Sequence, residues 1–268
     1  MRRGMRFARY GLLLVLAVTV ALGLAAPVGS GSLGSPANGF RPASFSGEGA
    51  RLAVLKTTGL GTLARWQEQP TGFLVARPRG SSLALHSAPR GSVVANLGAS
   101  TEFGSPLRLG VVKDRGRWLG VVSTRLPNGR LGWVKRSDVY LRTTEISLEL
   151  DLSRRLLFLK RGDEVVRRMV VGIGRPSSPT PKGRFAVTDK LSGYRYSPAY
   201  GCCIVALSAH QPNLPAGWTG GNRIAIHGTN VPSSIGVPSS AGCPHASYAD
   251  MQTLMRRVPL GAPVFIHE

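Results

Sequence analysis

Acidic residues are scarce in this sequence: 13 Asp and Glu stand against 34 Lys and Arg, a formal charge of +21. That imbalance favours anionic partners. The patterns by which basic proteins read nucleic acid are missing too. There is no zinc-finger spacing, no helix-turn-helix with a basic recognition face, and no run of stacking aromatics among basic residues. Nucleic acid is therefore set aside, and an anionic polymer or a membrane surface accounts for the charge equally well. No Cys-x-x-Cys or His-x-x-x-His pair occurs, so Cys202, Cys203, Cys243, His210, His227 and His245 do not read as a zinc site, and no metal or cofactor is expected. Cysteine itself is rare. Three residues leave one over after any pairing in an oxidising compartment. Neighbouring Cys202 and Cys203 could close only through a strained vicinal ring, so no bond between them is expected. Helical periodicity is absent until close to the C-terminus, which excludes a helical bundle.

What is present is enough to fold. Hydrophobic residues make up 43% and charged residues 18%, ordinary values that argue against disorder along most of the length. A chain of 268 residues accommodates two small domains. At the start, Arg2, Arg3, Arg6 and Arg9 precede an apolar run over residues 11–27, which resembles an export signal. Small residues at Gly23, Ala25 and Ala26 suit a cleavage site, yet the run is close to the length of a membrane-spanning helix. Residues 1–27 thus read as an export signal or an anchor, and the rest is placed outside the cytoplasm, secreted or held at the membrane. Residues 28–50, rich in Gly, Ser, Pro and Ala, have the composition of a flexible linker. Residues 51–69 form a short preface with Trp66 as its large anchor.

Between residues 72 and 142, short apolar runs recur at 73–76, 92–97, 107–112, 118–123 and 131–134, separated by Gly, Pro and Asn. This spacing predicts a small β-barrel. Pro127-Asn128-Gly129 reads as a tight hairpin turn. The segment resembles a bacterial Src-homology-type barrel, with Gly132-Trp133-Val134 and Leu141 in the places such modules show them; spacer and wall-peptide binder are equally open roles. From residue 144 the pattern renews. Residues 146–152 and 155–160 form a hairpin, residues 165–173 a third strand, and Arg223-Ile224-Ala225-Ile226 a strand that ends at His227-Gly228-Thr229. Met251, Leu254, Met255 and Val258 then give one short helix, with Ser247 as N-cap, Arg256 and Arg257 in its last turn, and Pro259 as the stop.

Cysteine acyl transfer needs a thiolate, a base, donors for the oxyanion and a group that fixes the imidazole tautomer. Residues 224–245 offer each. His227 sits where a strand opens into a loop, and Ser240-Ala241-Gly242-Cys243 follows, Gly242 letting backbone amides approach a substrate carbonyl. A lone cysteine is more often structural than catalytic, but here the context is specific. His227-Gly228-Thr229 followed by Ser240-Ala241-Gly242-Cys243, with Val171-Gly172 and Pro179-Thr180-Pro181-Lys182-Gly183-Arg184-Phe185 upstream, resembles the L,D-transpeptidase (YkuD-like) catalytic domain over residues 144–268.

The resemblance implies a mainly β fold: an L,D-transpeptidase-like β-sandwich with a short helix, preceded by the small barrel. It implies that Cys243 is nucleophile, His227 general base and acid, the Gly228 carbonyl the group orienting the imidazole, and Ser240 a wall of the site. Ala241, Gly242, Ser240 and His245 become the oxyanion and substrate contacts. The implied partners are peptidoglycan stem peptides, with carbapenem-type β-lactams as inhibitors, and the implied activity is cross-linking of third-position residues. A carboxypeptidase using the same acyl-enzyme, or an inactive wall-binding protein, are the competing expectations. Two departures bear on substrate choice. Ala241 stands where the family often has His or Arg, and His245 where it often has Arg, a weaker and pH-dependent substitute for a guanidinium. Tyr194, Tyr196 and Tyr200 are candidates for lining the cleft or for packing; His210 reads as structural or exposed, and His86 and His267 receive no role.

Overall fold

A computed structural model describes residues 72–268; the expected export segment, the linker and the Trp66 preface lie outside the described residues. Among the described residues no helix is long and apolar enough to cross a membrane.

The N-terminal part is an antiparallel sheet of seven strands: β1 (Phe73–Pro78), β2 (Ser82–His86), β3 (Val93–Gly98), β4 (Leu109–Arg115), β5 (Trp118–Val121), β6 (Gly132–Lys135) and β7 (Val139–Thr144). They run in the order β3-β2-β6-β5-β4-β1-β7. Alternate residues Leu83 and Leu85, Leu109 and Val111, and Leu119 and Val121 turn inward onto one core, as the period of two requires. Strands β2 and β7 were not anticipated, because each carries only two or three inward apolar residues among polar ones. The Pro127-Asn128-Gly129 step is a turn but not a tight hairpin. The Arg130 amide donates to the Pro127 carbonyl at 3.1 Å. Gly129 takes φ 79° while Asn128 keeps a negative φ, and the step lies inside the longer connection 122–131.

The second sheet combines β8 (Ile146–Asp151), β9 (Leu156–Arg161), β10 (Glu164–Val170), β12 (Gly183–Ser192), β13 (Cys203–His210), β14 (Arg223–His227) and β16 (Pro263–His267). Their order is β10-β9-β8-β16-β12-β13-β14, with only the β8–β16 pair parallel. The expected third strand stops at Val170; after a kink, Ile173–Gly174 (β11) leaves the sheet and pairs in parallel with Pro238–Ser240 (β15). The single α-helix, α1 (Tyr248–Arg257), begins at an N-cap in which Ser247 Oγ accepts the Asp250 amide. Its Met251 and Leu254 are fully buried in the main core. The architecture is mainly β with one short helix, behind an antiparallel sheet domain.

Strands β13 and β14 are buried on both faces. Val205, Leu207, Ala209, Ile224 and Ile226 enter the main core, whereas Ile204, Ala206 and Ala225 form a small apolar floor on the opposite side. That floor is where the site lies.

The two sheets pack together within one compact unit. Phe73 meets Phe265 with ring centroids 5.8 Å apart. The Arg184 guanidinium lies over both rings and donates to the Val111 carbonyl at 3.0 Å. Asn128 of the turn above brackets His210: its side-chain amide donates to the His210 carbonyl at 2.6 Å and its oxygen accepts the His210 amide at 2.9 Å. The His210 ring in turn reaches the Thr124 carbonyl at 2.9 Å. His210 therefore belongs to the contact between sheets.

Cys202 and Cys203 are joined, contrary to the sequence expectation. Mid-strand neighbours point to opposite faces, but these two sit where the chain leaves the 3₁₀ turn Pro198–Tyr200 and enters β13. Both side chains consequently fall into the same core. Cys243 is left as the free cysteine.

Candidate active site

Alternation along β14 puts Arg223, Ala225 and His227 on one face, above the apolar floor. Across from them runs the segment carrying Cys243, held from both sides by backbone pairing. On one side the Ile173 and Arg175 amides donate to the carbonyls of Val237 and Ser240, and Gly172 and His245 exchange both bonds at 2.8 and 3.0 Å. On the other, the His227 amide donates to the Pro244 carbonyl at 3.1 Å and the Ala246 amide to the His227 carbonyl at 2.9 Å. The Cys243 turn is thus stitched between β11 and β14.

The cleft has a volume of about 670 Å³ and admits Cys243, His227, His245, Ser240 and Ala241 to its walls. Tyr196 and Tyr200 also line it, whereas Tyr194 does not. Tyr200 meets the His227 ring edge-on at 4.8 Å.

His227 is 6% exposed, and its Nδ1 lies 2.5 Å from the Gly228 carbonyl oxygen. A carbonyl only accepts, so Nδ1 carries the proton and Nε2 of the neutral ring is bare. Burial first and the neighbouring His245 second lower the His227 pKa, the Gly228 carbonyl opposes both, and the net value falls from 6.5 to about 4. The two imidazole rings lie 4.7 Å apart. His245 Nδ1 is 2.9 Å from Ser234 Oγ, whose own proton goes to the Val231 carbonyl at 2.7 Å. Burial lowers the His245 pKa as well.

The Cys243 sulfur accepts the Ala225 amide at 3.5 Å, and its thiol points at the Arg223 carbonyl at 3.9 Å. No hydrogen bond joins it to His227 among the described residues. Burial raises the thiol pKa, partly offset by the Ala225 amide. Both shifts favour the uncharged forms, a neutral thiol beside a neutral imidazole.

Gly242 takes φ 123°, and a Cβ there would run into the Gln211 carboxamide. Its amide donates to Ser240 Oγ at 3.0 Å and is thereby occupied. The amides of Ala241 and Cys243 donate to no acceptor among the described residues. Ser240, 6% exposed, supports the turn as well as edging the cleft.

Several supports escaped sequence reasoning. Buried Gln211 donates to the Pro179 carbonyl at 3.0 Å and to the Ala241 carbonyl at 3.1 Å. Thr180 Oγ1 donates to the Gly242 carbonyl at 2.7 Å and accepts the Gly174 amide at 2.9 Å. The upstream Pro-Thr-Pro element thus pins the Cys243 turn. Thr180→Val keeps the shape but strands a buried amide and a buried carbonyl. We expect a loss of about 2 to 4 kcal/mol in urea unfolding, with Thr180→Ser close to wild type.

The N-terminal sheet also reaches the cleft. In the connection after β3, Phe103 lines it and meets Tyr196 at 6.2 Å. Glu102 pairs with Arg223, and the Thr101 hydroxyl donates to Asp189, which is fully buried. The Arg223 guanidinium also donates to the Leu207 carbonyl at 2.7 Å and to Thr188 at 2.8 Å. Only the position of Arg223, four residues before His227 on one strand face, was a usable signal.

Among the described residues no group of three His, Cys, Asp or Glu side chains converges as a metal site.

A free thiol, an imidazole with fixed tautomer and two unengaged amides lie on one cleft of a mainly β scaffold. Residues 145–266 match the model of the YkuD L,D-transpeptidase catalytic domain. YkuD of Bacillus licheniformis, named as an L,D-transpeptidase, is 29% identical over 124 residues, covering 46% of this chain and 67% of that protein. YbiS of Escherichia coli K12, also so named, is 31% identical over 128 residues, which is 42% of either protein. The chain therefore spans well under half of YbiS. Among solved structures, an L,D-transpeptidase from Mycobacterium smegmatis aligns with a TM-score of 0.40 at 16% identity, covering 73% of this chain and 99% of that one. Solved L,D-transpeptidases of this kind include one in complex with imipenem, one with a faropenem-derived adduct and one as an avibactam carbamoyl enzyme.

Proposed function

We propose that this chain is a peptidoglycan L,D-transpeptidase that links third-position residues of two stem peptides through a thioester on Cys243. The observation that carries the reading is the convergence of the free Cys243 thiol and the bare Nε2 face of His227 on one cleft, inside the segment that matches the YkuD domain model. As the sulfur attacks the carbonyl carbon between the third residue and the terminal D-alanine, its proton passes to His227 Nε2. The developing oxyanion faces the Ala241 and Cys243 amides. The C–N bond breaks, D-alanine leaves with the proton from His227, and a thioester remains. A side-chain amine of a second stem attacks that thioester and gives its proton to His227; the C–S bond breaks, and the departing sulfur takes that proton back from His227 as the thiol is restored. The Gly228 carbonyl holds the imidazole in the tautomer that both steps need.

His245 and Ala241 tune which stem is accepted. With His245 in place of an arginine two residues after Cys243, and the Arg223 guanidinium engaged by Glu102, the cleft selects less by charge and more by its apolar floor and by Phe103. The N-terminal sheet acts as a Src-homology-type module that holds the catalytic domain at the wall, and the apolar run at residues 11–27 puts the reaction outside the cytoplasm.

Incubating the purified chain with tetrapeptide stems is expected to give a cross-linked dimer and free D-alanine, read by mass spectrometry. Trimmed monomers alone would reassign the activity as an L,D-carboxypeptidase. Intact stems, together with no mass gained from a carbapenem while Cys243 is free, would reduce the domain to a binding module.

A further inference from the structure

The end of the N-terminal sheet remote from the catalytic domain has a feature that acyl transfer does not use. There the β4–β5 turn, the β2–β3 connection and the ends of β1 and β6 surround a groove of about 610 Å³. It is walled by Arg79, Arg90, Arg117, Lys135 and Arg136, with Trp118 among them. One of these five cations is compensated, by the Arg136–Asp114 ion pair. The nearby Asp138 carboxylate accepts the Ser137 hydroxyl at 2.7 Å. Arg79, Arg90, Arg117 and Lys135 have no carboxylate partner among the described residues. Arg79 is set in place by its bond to the Val139 carbonyl at 3.1 Å and by the Tyr140 ring, 4.1 Å below its guanidinium. Trp118 is fixed edge to face against His86 at 4.9 Å. Arg90 is held at φ 62°, a conformation that side-chain-bearing residues seldom adopt and that glycine would take more cheaply.

We propose that this groove binds a linear polyol-phosphate polymer, a chain of phosphodiesters without bases. Guanidiniums engage phosphate oxygens through paired N–H donors, and four uncompensated cations in one groove suit the closely repeated charges of a phosphodiester chain better than a single carboxylate. The concave shape fits one chain better than a flat bilayer. A single indole offers one apolar face for a polyol, whereas a base-reading groove would carry a series of stacking rings. Strands run from this end to the other, where Gly110 and Phe73 meet the catalytic domain, so polymer and stem peptide can be bound together.

The test compares three probes on the whole chain: poly(glycerol phosphate), an oligo-dT of similar charge, and phosphatidylglycerol vesicles, with binding followed across a salt series. Arg90→Gln/Arg117→Gln/Lys135→Gln is expected to weaken poly(glycerol phosphate) binding at least tenfold, leaving carbapenem acylation at the wild-type rate. A control of equal charge, Arg130→Gln/Arg161→Gln/Arg168→Gln, is expected to weaken it less than threefold. Equal losses in the two variants would show that overall charge, not the groove, binds the polymer. Tighter binding of the vesicles or of oligo-dT by the wild type would also overturn the assignment. Acylation is read separately, so failure here is distinct from failure of the catalytic reading.

Discussion

His227→Gln is expected to slow acylation by a carbapenem by about 10²–10⁴-fold, the usual contribution of a positioned general base, while Cys243→Ala gains no mass at all. Glutamine preserves most of the volume under Tyr200 and His245 but cannot accept the thiol proton at Nε2. The pH dependence tells this site apart from a resting thiolate–imidazolium pair. With the His227 pKa near 4, the imidazole remains an active base well below neutrality. The acid limb of the acylation rate should therefore fall through about pH 4 rather than near 6.5. The thiol is raised, so alkylation of Cys243 by iodoacetamide should climb steadily through the neutral and mildly alkaline range without a plateau at low pH. A flat alkylation profile from pH 5 upward would mean a preformed thiolate and would sink this account. The same depression affects stability. His227 is uncharged when folded, so its contribution is full above about pH 6.5 and is lost as pH falls toward 4, because the unfolded chain takes up the proton first.

Gly242→Ala is expected to be nearly as damaging, with a loss of at least about 10²-fold in acylation, the scale on which displacing a reacting group by an ångström acts. The residue adopts φ 123°, which a side chain strains, and a Cβ would drive into Gln211. Gln211 cannot yield cheaply, since its amide ties the Pro179 and Ala241 carbonyls together and its oxygen receives the Asn213 amide at 3.0 Å. The turn itself must move, and with it the Ala241 and Cys243 amides. Pairing it with Gln211→Ala relieves the collision, and partial recovery in the double variant is the result that distinguishes steric displacement from simple unfolding. A Gly242→Ala protein with wild-type acylation would show that the turn does not need its left-handed backbone.

What could be read from the sequence was local. Ser247 as N-cap, the arginines of the last helical turn and the strand that ends at His227 are all set by neighbours within a few positions, and the structure has them there. The His227 and Cys243 motifs were visible because their chemistry fixes residue type. Gln211, Thr101 and Glu102 were not. A glutamine in a loop or a threonine after a strand has no local signature, and their roles arise only once strands distant in sequence are laid side by side. The Cys202–Cys203 bond was missed for a related reason. Whether neighbouring side chains diverge or converge depends on where the strand begins, and that boundary is set by the 3₁₀ turn before it.

That bond has a practical consequence. The full sequence has three cysteines, and with two of them bonded to each other the folded chain holds one reactive sulfur. Every thiol-directed electrophile therefore has a single address. The stoichiometry of labelling under native conditions becomes a direct count of chains whose Cys243 thiol is intact, against which the acylation proposed here can be normalised.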